Sequence, residues 1–193
     1  EEDDLQALLD DDRSSAVLVG PGCGISESTK TRVFEILGSK KPCVLDADAL
    51  SVFSDNPREL FKCITAACVL TPHDGEYGRL FEGKGDRLSR ARLAAKVSGS
   101  VVLLKGGDSV IAAPDGRAAV QSKAPPELAT AGSGDVLAGL VLGFLAQGCA
   151  PYQAACMAGW IHGESGRRLG KGLVSEDLLL ALPEILDEIS DFI

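Results

Sequence analysis

The sequence has no apolar run of about 18 residues, the length a membrane-spanning helix needs, so no transmembrane helix is expected. It is short of positive charge: 19 Lys and Arg stand against 28 Asp and Glu, a formal net charge of −9. That balance argues against nucleic acid or an anionic membrane as the main partner. Paired cysteines are also missing. Cys23, Cys43, Cys63, Cys68, Cys149 and Cys156 form no C-x-x-C pair and mostly have apolar neighbours. Six reduced thiols are therefore expected, rather than a disulfide framework or a cysteine metal site. The start, Glu1-Glu2-Asp3-Asp4, lacks the positive stretch of a signal peptide, and a cytoplasmic location is expected. No internal repeat or low-complexity linker divides residues 1–193, so one domain is expected. What is present is 45% apolar residues, 24% charged residues and 22 glycines, a soluble globular composition with enough length for a sizeable core.

The hydrophobic pattern alternates between two periods. Short apolar runs at 16–20, 43–45, 67–70 and 101–104 read as buried strands. Helical spacing is expected over 1–12, 27–37 with Gly38 as its cap, a short stretch from Pro57 to Cys63, 74–81, 86–97, 134–147, 152–169 and 175–190, the last broken by Pro183. Residues 109–113 and 117–120 read as a hairpin turned by Pro114-Asp115-Gly116. Strands alternating with helices predict an α/β fold, a three-layer α/β/α arrangement on a mainly parallel sheet. Ligands of such sheets sit beyond the carboxyl ends of the strands.

The polar and glycine-rich segments fall at those ends. Gly20-Pro21-Gly22-Cys23-Gly24 permits close backbone approach to a ligand, or is a plain tight turn. It is not the G-x-G-x-x-G dinucleotide fingerprint. Asp46 and Asp48 suit water, Mg²⁺ or ribose hydroxyls, or else cap a helix and brace a loop. Thr71-Pro72-His73-Asp74-Gly75-Glu76 ends the third run. Lys105-Gly106-Gly107-Asp108-Ser109 ends the fourth, offering a point charge, backbone access and a hydroxyl, or a β-turn with a solvated lysine. Ala131-Gly132-Ser133-Gly134-Asp135 opens an apolar helix. Gly132 and Gly134 allow positive φ there, and a helix N-terminus favours an anion. Asp135 is either a dipole-complementing residue or a base aimed at a hydroxyl. The helix it opens is apolar nearly all round, so burial is expected, with Gly139 and Gly143 allowing close packing. His162, on a later helix, reads as a packing histidine. No Walker A lysine is present.

The string Gly132-Ser133-Gly134-Asp135-Val136-Leu137-Ala138-Gly139, with T-P-H-x-x-E at 71–76 and K-G-G at 105–107, resembles the ADP- or ATP-dependent NAD(P)H-hydrate dehydratases of the ribokinase-like superfamily. The resemblance runs across about residues 17–170, with the motifs in the family's order; Asp74 stands where the commonest members have Pro. It implies nucleotide-dependent dehydration of hydrated NADH or NADPH with ADP or ATP and Mg²⁺. Asp135 would be the catalytic base. Lys105, Gly106, Gly107, Asp108, Ser109, Gly132, Ser133 and Gly134 would bind the nucleotide. Gly22, His73 and Asp135 would bind the hydrate, and Glu76 would organise the metal. The family normally carries a further segment before the point where this chain begins, with strands and a loop facing the hydrate. A truncated unit with an exposed sheet edge is therefore expected, as is a homo-oligomer, with another chain or segment to supply the missing strands. Two alternatives remain: a ribokinase-like small-molecule kinase of the hydroxyethylthiazole or pyridoxal type, and a non-catalytic regulatory or interaction module.

Overall fold

Three short strands are buried on both faces and a fourth nearly so, which is what a parallel sheet between two helical layers requires. The computed structural model describes residues 2–64, 67–122 and 124–189. The first helix, α1 (Glu2–Asp10), precedes strand β1 (Val17–Val19) and helix α2 (Glu27–Gly38). Then come β2 (Cys43–Leu45), the one-turn α3 (Asp48–Ser51), α4 (Pro57–Cys63) and β3 (Cys68–Leu70). Helices α5 (Asp74–Leu80) and α6 (Arg87–Ser98) lead to β4 (Val101–Leu104). The hairpin β5 (Ser109–Ala112) and β6 (Ala118–Gln121) precedes a 3-10 turn at Pro126–Leu128 and α7 (Ser133–Ala146). Helix α8 (Pro151–Leu169), a 3-10 segment (Ser175–Ala181) and α9 (Leu182–Ile189) follow.

The described strands form one sheet in chain order, β1-β2-β3-β4-β5-β6. The pairings from β1 to β4 are parallel, with Val17 opposite Cys43, Cys43 opposite Cys68 and Val69 opposite Val101. The β4–β5 and β5–β6 pairings are antiparallel. The sheet is thus mainly parallel with an antiparallel edge. Alternate side chains serve different layers. Val102 and Leu104 pack with residues of α2 to α6, including Val33, Leu60 and Tyr77. Val101 and Leu103 pack with α7 and α8 through Leu137, Val141 and Ala155. Period-two alternation along a strand produces this division. It places the ends of β1, β2, β3 and β4 along one rim.

Several local expectations are corrected. Gly38 lies inside α2. The cap is Ser39, and the residue with positive φ is Lys40, at 62°. The span from Ser175 divides beside Pro183 as expected, but its first part is a 3-10 segment rather than an α-helix. The 3-10 segment ends at Ala181 and Pro183 sits in the first turn of α9, where its missing N–H costs nothing. Of that span Ser190, like Glu1 of the first helix, lies outside the described residues. Helix α7 is not closely packed all round. A Cβ added at Gly139 or Gly143 would meet nothing within 4 Å. Those glycines floor an open apolar groove with Phe144 and Leu186.

Candidate active site

Four loops and one helix start meet at the rim. Glycine is required where two of them pass closest. Gly132, the residue before α7, stands at φ 82°, which an L side chain rarely adopts. Gly20, at the end of β1, passes so near β2 that a Cβ there would stand 1.7 Å from the Asp46 carbonyl oxygen. Gly134 is helical rather than left-handed, contrary to expectation. It lies against the Lys105 side chain: a Cβ at that position would stand 3.4 Å from Lys105 Nζ, at van der Waals contact. The Gly134 and Asp135 amides have no backbone acceptor among the described residues, as expected for a helix N-terminus.

Lys105 leaves β4 with its backbone N–H donating to the Pro72 carbonyl at 2.8 Å. That bond ties the K-G-G-D-S loop to the T-P-H segment. Its ammonium donates to Asp46 Oδ1 at 2.6 Å. Ser109 closes the loop on itself: its hydroxyl donates to the Gly106 carbonyl at 3.1 Å and accepts from the Gly106 amide at 3.2 Å. Arg87, at the start of α6, donates to the Lys105 carbonyl at 2.5 Å and to Asp74 Oδ2 at 2.6 Å. The loop is thus braced by backbone, hydroxyl and guanidinium contacts.

A cavity of about 230 Å³ opens between this loop and α7. Lys105, Gly106, Gly107 and Ser109 form one side. Ser133, Gly134 and His162 form another, and Pro125, Pro126 and Leu128 a third. Asp108 and Gly132 are exposed beside it rather than in its lining. His162 is buried, and its Nε2 contacts the Ser133 carbonyl oxygen at 3.0 Å and the Ser133 hydroxyl at 2.9 Å. A carbonyl oxygen only accepts, so the neutral ring carries its proton on Nε2. Burial, with the Lys105 charge adding to it against the Ser133 backbone bond, lowers the His162 pKa to about 4. His162 is therefore a packing histidine that also fixes the first residue of α7.

The hydrate-side candidates lie along the same rim but outside that cavity. Gly22 is exposed in the loop after β1. His73 caps α5: its Nδ1 accepts from the Gly75 and Glu76 amides at 2.9 and 3.2 Å. Glu76 is buried and reaches back, its Oε2 accepting from the His73 amide at 2.8 Å. This reciprocal box explains why T-P-H-x-x-E has that spacing. No three His, Cys, Asp or Glu side chains converge as a metal site among the described residues. Glu76 offers one carboxylate, which suits an ion carried mainly by phosphates and water rather than a protein cage. Asp135 is exposed in the first turn of α7. Asp46 and Asp48 prove to be braces. Asp46 meets Lys105, and Asp48 Oδ2 accepts from the Gly24 amide at 2.8 Å. Sequence reasoning missed Arg87, because nothing in the local pattern around residue 87 marks a contact to residue 105.

A three-layer α/β/α sheet with its loops gathered at one rim defines a ribokinase-like protein. The chain is similar to a ribokinase-like superfamily protein of Enterococcus faecalis V583, with a TM-score of 0.80 at 26% identity over 95% of this chain and 66% of that one. The family model described as NAD(P)H-hydrate dehydratase matches residues 1–188, and the chain belongs to that family. It is 41% identical over 186 residues to the bifunctional NAD(P)H-hydrate repair enzyme Nnr of Salinibacter ruber, covering 92% of this chain and 34% of that protein. The chain thus spans about a third of that relative's length. It also resembles the ADP/ATP-dependent NAD(P)H-hydrate dehydratase of Bacillus subtilis, co-crystallized with ATP/Mg²⁺. The TM-score is 0.82 at 28% identity, over 96% of this chain and 70% of that one.

Proposed function

We propose that this chain, acting as one ribokinase-like unit, dehydrates hydrated NADH or NADPH at the expense of ADP or ATP. The observation that carries this reading is the cavity where Lys105 and the K-G-G loop face the open amides of α7. Phosphate oxygens suit that combination of point charge and unpaired N–H donors. The Nnr relative and the Bacillus subtilis dehydratase support the substrate assignment by their own names.

The proposed reaction assigns a step to each group. Asp135 takes the proton of the hydrate hydroxyl as that oxygen bonds to the terminal phosphorus. The bond between that phosphorus and the nucleotide's bridging oxygen breaks, releasing AMP from ADP or ADP from ATP. Amides at the start of α7 hold the charge that develops on the phosphoryl oxygens. Gly106 and Gly107 give the nucleotide backbone access, and Lys105 supplies the cation. The phosphate then leaves with its C–O bond electrons. A proton lost from the adjacent carbon restores the ring double bond. Gly22 and His73 face the hydrate, with the His73 proton on Nε2 because Nδ1 accepts the cap bonds, and with that nitrogen 3.6 Å from Glu76 Oε1. Mg²⁺ brought by the nucleotide would neutralise phosphate charge, with Glu76 the residue to hold it through water.

The reading includes a cytoplasmic location and a homo-oligomer. No described helix is long and apolar enough to cross a membrane. Strand β1 edges the described sheet, and there a strand from another segment or chain would pair. Incubating the protein with hydrate and each nucleotide tests the activity. Recovery of reduced-nicotinamide absorbance is expected. A stable phosphorylated product would instead point to a kinase, and no turnover to a non-catalytic module.

A further inference from the structure

The segment Asp46-Ala47-Asp48 has no role in the chemistry above, yet its backbone is strained. Ala47 stands at φ 47° and ψ −116°, a conformation costly for a residue with a Cβ. Beside it two carboxylates reach different loops. Asp48 holds the Gly24 amide, in the loop that carries Gly22. Asp46 holds Lys105, 59 positions away in the chain. Asp46 is fully buried, and its Oδ2 has no hydrogen-bond partner among the described residues. A carboxylate in that setting depends on its counter-charge.

We propose that Asp46 is a positioning residue that fixes the Lys105 ammonium beside the first turn of α7, ready for phosphate oxygens. The proposal rests on the nucleotide reading above. Lysine carries a compact charge on a flexible stem and loses considerable rotamer freedom when ordered. Left alone, such a side chain turns its head to water. The 2.6 Å bond to Asp46 orders it before any ligand arrives. An ammonium has three N–H donors. The bond to Asp46 uses one and leaves two for a phosphate. Gly20 completes the arrangement, since its close pass against the Asp46 carbonyl holds the strained segment at the end of β1.

The test uses the full chain and Asp46→Asn, which keeps shape and removes charge. Acylation of Lys105 by a small amine-reactive ester, mapped by peptide mass, should run several-fold faster in the variant. ADP affinity by calorimetry should fall about tenfold, the order expected for losing one charge-assisted bond. KM should rise for the nucleotide and stay unchanged for the hydrate, whereas a merely structural defect raises both. Asp46→Asn combined with Lys105→Met buries no lone charge and guards against misfolding of a single variant. Its loss of ADP affinity should be less than the sum of the two single losses, and strict additivity overturns the proposal. Unchanged Lys105 labelling and ADP affinity in Asp46→Asn also overturn it. If the wild type binds no ADP, the nucleotide reading falls, and the labelling alone still decides whether Asp46 holds Lys105.

Discussion

His162 Nε2 sits 3.0 Å from the carbonyl oxygen of Ser133, the first residue of α7, and 2.9 Å from its hydroxyl. The late helix α8 thereby sets the start of the helix whose amides face the cavity. This contact requires a proton on Nε2, and burial favours the neutral form of the ring.

The pH dependence of stability follows from it. The folded pKa is about 4 against an ordinary value of 6.5, lowered chiefly by burial. The unfolded chain therefore binds the extra proton first as pH falls. The stability tied to neutral His162 is fully present above pH 6.5 and is lost progressively down to about pH 4. Each pH unit of that gap is worth about 1.4 kcal/mol, so the total is on the order of 3 kcal/mol. Unfolding free energies of wild type and His162→Gln should converge as pH drops from 7 to 4. A constant difference across that range would show that the ring titrates normally in the folded protein.

Arg87 and Gly106 should behave as a coupled pair. A Cβ at Gly106 would stand 2.3 Å from Arg87 Nη2 and 2.6 Å from its Cζ. Gly106→Ala should therefore push the guanidinium off the Lys105 carbonyl and Asp74. Loss of charge-assisted hydrogen bonds costs roughly 1.5–3 kcal/mol. Adding Gly106→Ala to Arg87→Ala should cost much less than adding it to wild type. Urea midpoints for the four proteins give the coupling, and simple additivity would refute the bracing role. Arg87→Lys should not rescue, because a point-like ammonium lacks the fixed fork whose two arms meet Asp74 and the Lys105 carbonyl at once.

All six cysteines are free. Cys43 and Cys68 face each other across β2 and β3 and are buried. The hydrogen bond with Cys43, together with burial, pushes the Cys68 thiol well above its ordinary value. Since the thiolate is the reactive form, Cys68 should resist alkylation in the native protein, and Cys43 should too because it is buried away from reagent. After denaturation without reductant, mass spectrometry should find all six modified. A pair protected at that stage would reveal a disulfide.

The layering was readable from period alone, because strands buried on both faces appear as short continuous apolar runs. Val101 to Leu104 is one such run. The site loops were readable because T-P-H-x-x-E and the glycine turn at 131–135 each encode a local geometry: a capping box and a helix start with positive φ. Contacts that depend on long-range approach were not readable. Nothing near Asp46 signals Lys105, and nothing near Arg87 signals Gly106. The one-turn helix Asp48–Ser51 and the 3-10 turn at Pro126–Leu128 are too short to show periodicity. Gly139 and Gly143 were misjudged because small residues in an apolar helix suit either close packing or the floor of an open groove.

Asp135 provides the sharpest test of the proposed mechanism. It is exposed in the first turn of α7, next to amides with no backbone acceptor among the described residues. Asp135→Asn keeps the shape of the side chain and removes the proton acceptor. Nucleotide affinity should change little, because the phosphates meet amides and Lys105. If Asp135 is the general base, kcat should fall by about 10²–10⁴, the usual contribution of a positioned acid or base. If it only complements the helix dipole, the substitution should cost about 0.3–1 kcal/mol of stability and leave kcat near wild type. The measurement is saturating turnover with hydrate and nucleotide, beside calorimetric nucleotide binding on the same preparation. A tenfold rate change corresponds to about 1.4 kcal/mol of barrier. The two roles are therefore separated by several kcal/mol in kcat. A variant within about threefold of wild type in kcat, well short of the tenfold step, would falsify the base assignment.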